Sequence, residues 1–200
     1  MDVDIFNDFG KSIKNKKGEL VCKNVFPTIP LKFWKDKNNV KFKDAYFKKF
    51  NNVWHHGDYA EIKNSGGFII YGRSDTTLNP GGVRLGTSEI YSEIEKFKEI
   101  KESLVVGQAW HNDIRIILFV IMNKNFKIDN NLIIKIKSQI KTNVSPRHVP
   151  NKIIKIKDIP RTKNGKIVEL AVKNIIEGNK IKNKEALINP EILNDFKNIK

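Results

Sequence analysis

The most apolar stretch of the chain, residues 116–122, has the length of a single β-strand, and that bounds what the sequence can build. It is far too short for a transmembrane helix, which needs about 20 apolar residues. Turn signals break the chain on both sides of it. Ser65-Gly66-Gly67 and Asn79-Pro80-Gly81-Gly82 lie upstream, Asn112-Asp113 stands two residues before the run, and Ser145-Pro146 follows. A sequence divided this finely makes small sheets with short helices packed on them, an α+β architecture.

Residues 18–23 read as a turn and a strand, 45–50 as a short helix, and 54–62 as containing a strand. Residues 68–71 return across the Ser65-Gly66-Gly67 hairpin turn. After Gly72 the pattern changes. Thr87 is expected to cap a helix from Ser88 to about Lys98, and residues 105–110 and 115–122 read as antiparallel strands. Asp129 should cap a helix running to about Asn143, with Ile133, Ile136 and Ile140 as its apolar stripe. Residues 152–156 alternate like a strand, and 168–177 form a helix stopped by Gly178. The division is a β-rich segment over 1–74 and a small α+β domain over 75–200.

The 37 Lys and Arg residues outnumber 22 acidic ones, for a net charge of +15. Such a balance invites a nucleic-acid reading. Only five of the basic residues are arginine, the side chain whose planar fork suits phosphates and bases, and Asn and Ile are abundant too. That pattern looks like AT-rich coding bias, and the excess charge forms no single tail, so no nucleic-acid partner is expected. Cys22 is the only cysteine, which excludes an intrachain disulfide and a thiolate zinc site. The acidic start, Met1-Asp2-Val3-Asp4, does not resemble a signal peptide, and a soluble cytoplasmic protein without a membrane partner is expected.

Four polar clusters fall in predicted turns, where functional groups gather. In Trp54-His55-His56-Gly57-Asp58, Asp58 follows a glycine at a strand end, and its carboxylate can accept both hydrogen bonds of a ribose diol. A turn aspartate has the same appearance. His55 and His56 hint at a metal, but neighbouring strand residues face opposite ways, so no metal site is expected. Arg73 and Asp75, in Gly72-Arg73-Ser74-Asp75, suit nucleotide contact and a backbone pivot, or equally an exposed ion-paired turn. In Asn79-Pro80-Gly81-Gly82-Val83-Arg84-Leu85-Gly86, paired glycines let a ligand approach the backbone, and Arg84 can grip phosphate through two hydrogen bonds. Pro160-Arg161-Thr162-Lys163-Asn164-Gly165-Lys166 ends like a P-loop. The upstream glycine is missing and Ile167 stands where Ser or Thr belongs, so the Walker reading fails. What remains is Lys166 on a tight turn before a helix, within reach of a carboxylate or phosphate.

Taken in order, these pieces resemble the adenylate-forming acyl-CoA synthetase superfamily. The resemblance is carried by Gly18-Glu19-Leu20, Gly57-Asp58, Gly72-Arg73-Ser74-Asp75, Gly82-Val83-Arg84-Leu85-Gly86-Thr87-Ser88-Glu89-Ile90 and the Pro160 to Lys166 motif, and it covers essentially the whole chain. Trp54 to Glu61, Ser145-Pro146-Arg147-His148-Val149-Pro150, Ile167 to Asn174 and Asn183-Lys184-Glu185-Ala186-Leu187 look like the acetoacetate–CoA ligases in particular. The resemblance implies the C-terminal end of a large AMP-binding domain followed by the small mobile C-terminal domain. It implies that Asp58 holds the ribose hydroxyls, that Arg73 assists at ribose and phosphate, and that Asp75 is the hinge. Lys166 completes the adenylation site, Gly82 lines the pantetheine path, and Arg84 meets phosphate in the thioester-forming conformation. ATP or AMP and coenzyme A are the implied ligands, with the Mg2+ ligands expected upstream. The substrate is acetoacetate or a similar short-chain carboxylate, and the remaining domain is a partner in cis or in trans. The phosphate loop, adenine-stacking aromatic and acyl pocket of such enzymes are absent here, so this chain alone should be inactive. Two other readings stay open: a piece of an acetate- or propionate-activating relative, and a non-catalytic basic module that would bind nucleic acid with steep salt dependence.

Overall fold

The computed structural model describes residues 1–181, 184–197 and 199. They form two compact units, Met1–Asp75 and Thr76–Lys200. Asn183 of the Asn183-Lys184-Glu185-Ala186-Leu187 motif lies outside the described residues.

The first unit is an antiparallel sheet of β1 (Val3–Phe6), β2 (Gly18–Cys22), β3 (Trp54–Ile62) and β4 (Phe68–Arg73), in that spatial order. The β3–β4 connection is the hairpin that the sequence indicates, closed by the Lys63 amide donating to the Gly67 carbonyl at 2.9 Å. The helix expected over residues 45–50 lies earlier, as α1 (Val40–Tyr46). Asp36 fixes its start, because its carboxylate oxygens accept from the Lys41 and Phe42 amides at 2.9 and 2.8 Å. The helix carries its aromatic residues onto Trp54: Tyr46 stacks on the indole with centroids 3.8 Å apart, and Phe42 meets it edge-on.

The second unit is built on a three-stranded sheet. β5 (Ile100–Trp110) and β6 (Asp113–Met122) form a long antiparallel hairpin, and β7 (Lys152–Lys155) adds in parallel beside β6. The hairpin turn is His111-Asn112, both with positive φ (46° and 63°), as a two-residue turn between twisted strands demands. The strands are longer than expected because pairing continues to Ile100↔Met122, beyond the apolar run itself. β6 is buried on both faces, which is why it reads as a continuous apolar run instead of an alternation. Ile116, Leu118 and Val120 pack with Ile90 and Ile94 of α2 (Ser88–Ile94) and with Leu132, Ile136 and Ile140 of α3 (Asn130–Asn143). Ile117 and Phe119 point the other way, toward Val172 of α4 (Glu169–Ile176) and Phe196.

Three local expectations need correction. α2 ends at Ile94, short of Lys98, where the chain tightens so that Phe97 packs into the core. Thr87 does not cap it: the side chain makes no capping hydrogen bond, and the residue has helical backbone angles. The stripe of α3 is Leu132, Ile136 and Ile140, and Ile133 is only half-buried. Asp129 does cap α3, accepting from the Leu132 amide at 2.8 Å. Asp129→Ala should lower stability by about 1 kcal/mol, seen as a lower urea midpoint with unchanged slope.

Candidate functional site

The first unit brings Asp58, Arg73 and Asp75 together. Asp58 sits within β3, not at its end, directly opposite Arg73 on β4. The sheet register shifts just after it, between Tyr59 and Ala60. Gly57 permits the arrangement. Its φ is +85°, and a Cβ there would lie 2.8 Å from Nη2 of Arg73, so the guanidinium lies across a bare backbone. Arg73 Nη1 reaches Asp58 Oδ1 at 3.4 Å, and its Nε reaches Asp75 Oδ1 at 3.5 Å. The other Asp58 oxygen is 2.7 Å from Nδ1 of His56. A cleft of about 700 Å³ opens beside this group, lined by Tyr46, Lys49, His55, Arg73 and Asp75 among others. Arg73 lines the cleft with the Asp58 carboxylate paired beside it, and such a pair can bind an anion and a diol side by side.

The same sheet holds Glu19, which the sequence presents only as part of Gly18-Glu19-Leu20. Glu19 is 1% exposed and is a hub. Its carboxylate accepts from Lys49 Nζ at 2.6 Å, from Ser74 Oγ, and lies 2.9 Å from His55 Nε2. A buried carboxylate persists only with such partners. The two histidines therefore serve different carboxylates, His55 on Glu19 and His56 on Asp58. Among the described residues no group of three or more His, Cys, Asp or Glu is arranged to hold a metal.

In the second unit the glycine loop and the lysine loop sit at opposite ends of β5. The glycine loop is a short 3-10 turn, Pro80–Gly82, pinched by mutual backbone hydrogen bonds of 2.9 and 2.8 Å between Leu78 and Leu85. Gly81 and Gly82 are exposed, and nothing lies within 4 Å of a Cβ built at either, so a ligand can approach the backbone. Arg84 Nε donates to Thr77 Oγ1 at 3.1 Å. Asp113 tethers the loop: its Oδ1 accepts from the amides of Gly81 and Ile114, both at 2.7 Å. Those two amides, Gly81 first, hold the Asp113 carboxyl below the ordinary aspartate value of 3.8. A depressed pKa means that the tether is intact above the ordinary value and lost as pH falls through the folded one. The Gly81 amide resonance should therefore titrate with a midpoint below 3.8, and Asp113→Ala should abolish that titration.

Lys166 closes a turn in which the Thr162 amide donates to the Lys166 carbonyl and the Gly165 amide to the Thr162 carbonyl, both at 2.8 Å. Its side chain is exposed and its ammonium makes no ion pair among the described residues. The loop is anchored from outside. Arg161 pairs with Glu102 near the start of β5, and Leu187 bridges to Thr162. The Arg161 amide donates to Asn189 Oδ1 at 3.0 Å. Nearby, the buried Tyr91 hydroxyl donates to Glu169 and accepts from the Val105 amide; burial, with the Glu169 charge, raises its pKa well above the ordinary tyrosine value. Glu102 and Trp110, the strand positions beside the two loops, are separated by roughly 26 Å at about 3.3 Å per residue. The glycine loop and the lysine loop are therefore presented about a strand's length apart.

No family model matches the chain. The acetoacetyl-coenzyme A synthetase of Rhizobium meliloti (strain 1021) is 53% identical over 194 residues, covering 97% of this chain and 30% of that protein. The acetoacetyl-CoA synthetase of Gallus gallus is 46% identical over 201 residues, 100% of this chain and again 30% of the relative. Among solved structures, the acetoacetyl-CoA synthetase from Streptomyces lividans superposes with a TM-score of 0.90 at 35% identity, covering 98% of this chain and 30% of that one. This chain is therefore similar in sequence and fold to the acetoacetyl-CoA synthetases, of whose length it spans about 30%, matching their C-terminal third.

Proposed function

We propose that this chain supplies the hinge and the mobile domain of an ATP-dependent acetoacetate–CoA ligase that acts in the cytoplasm. Such an enzyme joins acetoacetate to AMP with release of diphosphate, then passes the acyl group to coenzyme A with release of AMP. The observation that carries the reading is the separation of the two loops along one rigid sheet, since each half-reaction then needs its own presentation of the same unit. Residues 1–74 are read as the end of the large AMP-binding domain, and 75–200 as the domain that turns about Asp75.

In the first half-reaction a carboxylate must approach the α-phosphate of ATP against charge repulsion. The exposed Lys166 ammonium is suited to bridge both oxygens and stabilise the charge that develops between them. Asp58 accepts from the two ribose hydroxyls, and Arg73, already paired with that carboxylate, orients it and adds positive charge at ribose and phosphate. In the second half-reaction the bare backbone at Gly82 leaves room for pantetheine, and Arg84 meets a phosphate group. ATP and coenzyme A are substrates in this account. The Mg2+ that accompanies ATP is assigned no ligand in this chain. Exposed Leu31 and Trp34 (92% and 87%) and the Phe68-Ile69-Ile70 run on edge strand β4 support a large apolar partner surface on the first unit. That partner is the rest of the ligase, in cis or in trans.

The test is a graft. This chain replaces the matching third of the Rhizobium meliloti relative, and the hybrid is assayed for ATP-dependent acetoacetyl-CoA formation. Activity is expected, because the chain is 53% identical to that relative over 97% of its own length. A folded but inactive hybrid sinks the reading.

A further inference from the structure

We infer that Glu19 and Ser74 form an anchor that ends the first unit firmly at Ser74, so that the hinge is confined to Asp75. The inference rests on the hinge reading above and adds two positioning residues to it. Ser74 is held twice: its amide donates to the Gly57 carbonyl at 2.9 Å, and its hydroxyl donates to the buried Glu19 carboxylate. One bond ties it to β3 and the other to β2. The next residue differs. The Asp75 backbone makes no hydrogen bond among the described residues, and its side chain only touches half-exposed Arg73. Thr76 already belongs to the other unit. Among the described residues the chain passes in a single step from a residue tied to two strands to one whose backbone is untied.

Glu19 is suited to this because its carboxylate is also held by Lys49 and His55, from the segment after α1 and from β3. The carboxylate cannot swing away with the hydroxyl, since its other partners keep it in place. A buried, charge-assisted acceptor of this kind is strong as well as immobile. If the tie were at the surface, the pivot would spread over several residues and the moving unit would arrive with less precise geometry. Misplacement by an ångström costs on the order of 100-fold in rate.

Ser74→Ala isolates the tie. It removes the hydroxyl and leaves Glu19 its Lys49 and His55 partners, so no buried charge is stranded; Ser74→Thr keeps the hydroxyl as the rescue variant. In the full 200-residue chain, amide hydrogen exchange at Ser74 should accelerate roughly 10- to 100-fold in the Ala variant. The Val21 amide in the sheet centre should be unaffected, and Thr should restore slow exchange. Unchanged exchange at Ser74, or equal acceleration at Val21, overturns the anchor whatever the enzyme does. In the grafted ligase, Ser74→Ala should lower kcat while KM for ATP holds, again with rescue by Thr. A folded, inactive unmutated graft overturns the ligase reading itself, and the exchange measurement keeps the two failures apart.

Discussion

Lys166→Ala in the grafted ligase should cut acetoacetyl-adenylate formation by roughly 100- to 1,000-fold and leave thioester formation from supplied acetoacetyl-adenylate intact. The structure makes this substitution unusually clean. The ammonium is exposed and unpaired among the described residues, and the turn beneath it is held by backbone bonds and by Arg161, Leu187 and Asn189. Removing the side chain therefore removes an exposed charge without removing the turn. The corresponding loss is about 3–4 kcal/mol of transition-state stabilisation, the scale seen when one preorganised electrostatic contact is lost. Isotope exchange between diphosphate and ATP reads the first step, and single turnover with coenzyme A reads the second. Equal loss of both steps would remove Lys166 from its role.

Phe119→Ala should destabilise the chain by about 3–5 kcal/mol, a large packing loss in the second unit. Phe119 is fully buried in the centre of β6 and meets Phe196 edge-on with centroids 4.9 Å apart. It joins the sheet to α4 and to the C-terminal segment that carries Phe196, so its removal leaves a cavity between elements that cannot close together easily. Total stabilities of domains this size are only about 5–15 kcal/mol, so the unfolded population should become measurable at low urea. Phe119→Leu, which keeps most of the volume, should cost far less. Comparable urea midpoints for Ala and wild type would show that the two layers do not meet at this ring.

The sequence made some of this structure legible because local chemistry decided it. The Asp129 cap is a side chain acting three residues away, the Ser65-Gly66-Gly67 hairpin is a turn residue problem, and Gly178 stops α4 with φ +73°. Each can be read from a few neighbouring residues. Where the deciding partner is distant, reading along the chain fails. α1 lies earlier than the local sequence indicates because its start depends on Asp36 and its packing on Trp54, both outside residues 45–50. Thr87 is a good capping residue by type, but the chain enters α2 already helical, which leaves nothing for it to cap. The candidate site divides in the same way. Asp58, Arg73 and Lys166 stand out as polar residues beside glycines. Glu19 does not, because its importance comes from Lys49, His55 and Ser74, three segments that meet only after the sheet has formed. Tyr91 with Glu169, and Arg161 with Glu102, are hidden for the same reason.

The position of β6 also bears on how the chain is made. It is the middle strand of its sheet, yet its parallel neighbour β7 begins only at Lys152, after all of α3. During synthesis, β6 emerges with β5 on one side and a bare hydrogen-bonding edge on the other. That edge belongs to Ile116-Ile117-Leu118-Phe119-Val120-Ile121-Met122, seven uncharged residues without proline. A strand of this kind held open is a template for pairing with a copy on a neighbouring ribosome. Any break in translation between Met122 and Lys152 therefore yields a sticky product, not a shorter domain, and the second unit can be inherited only whole.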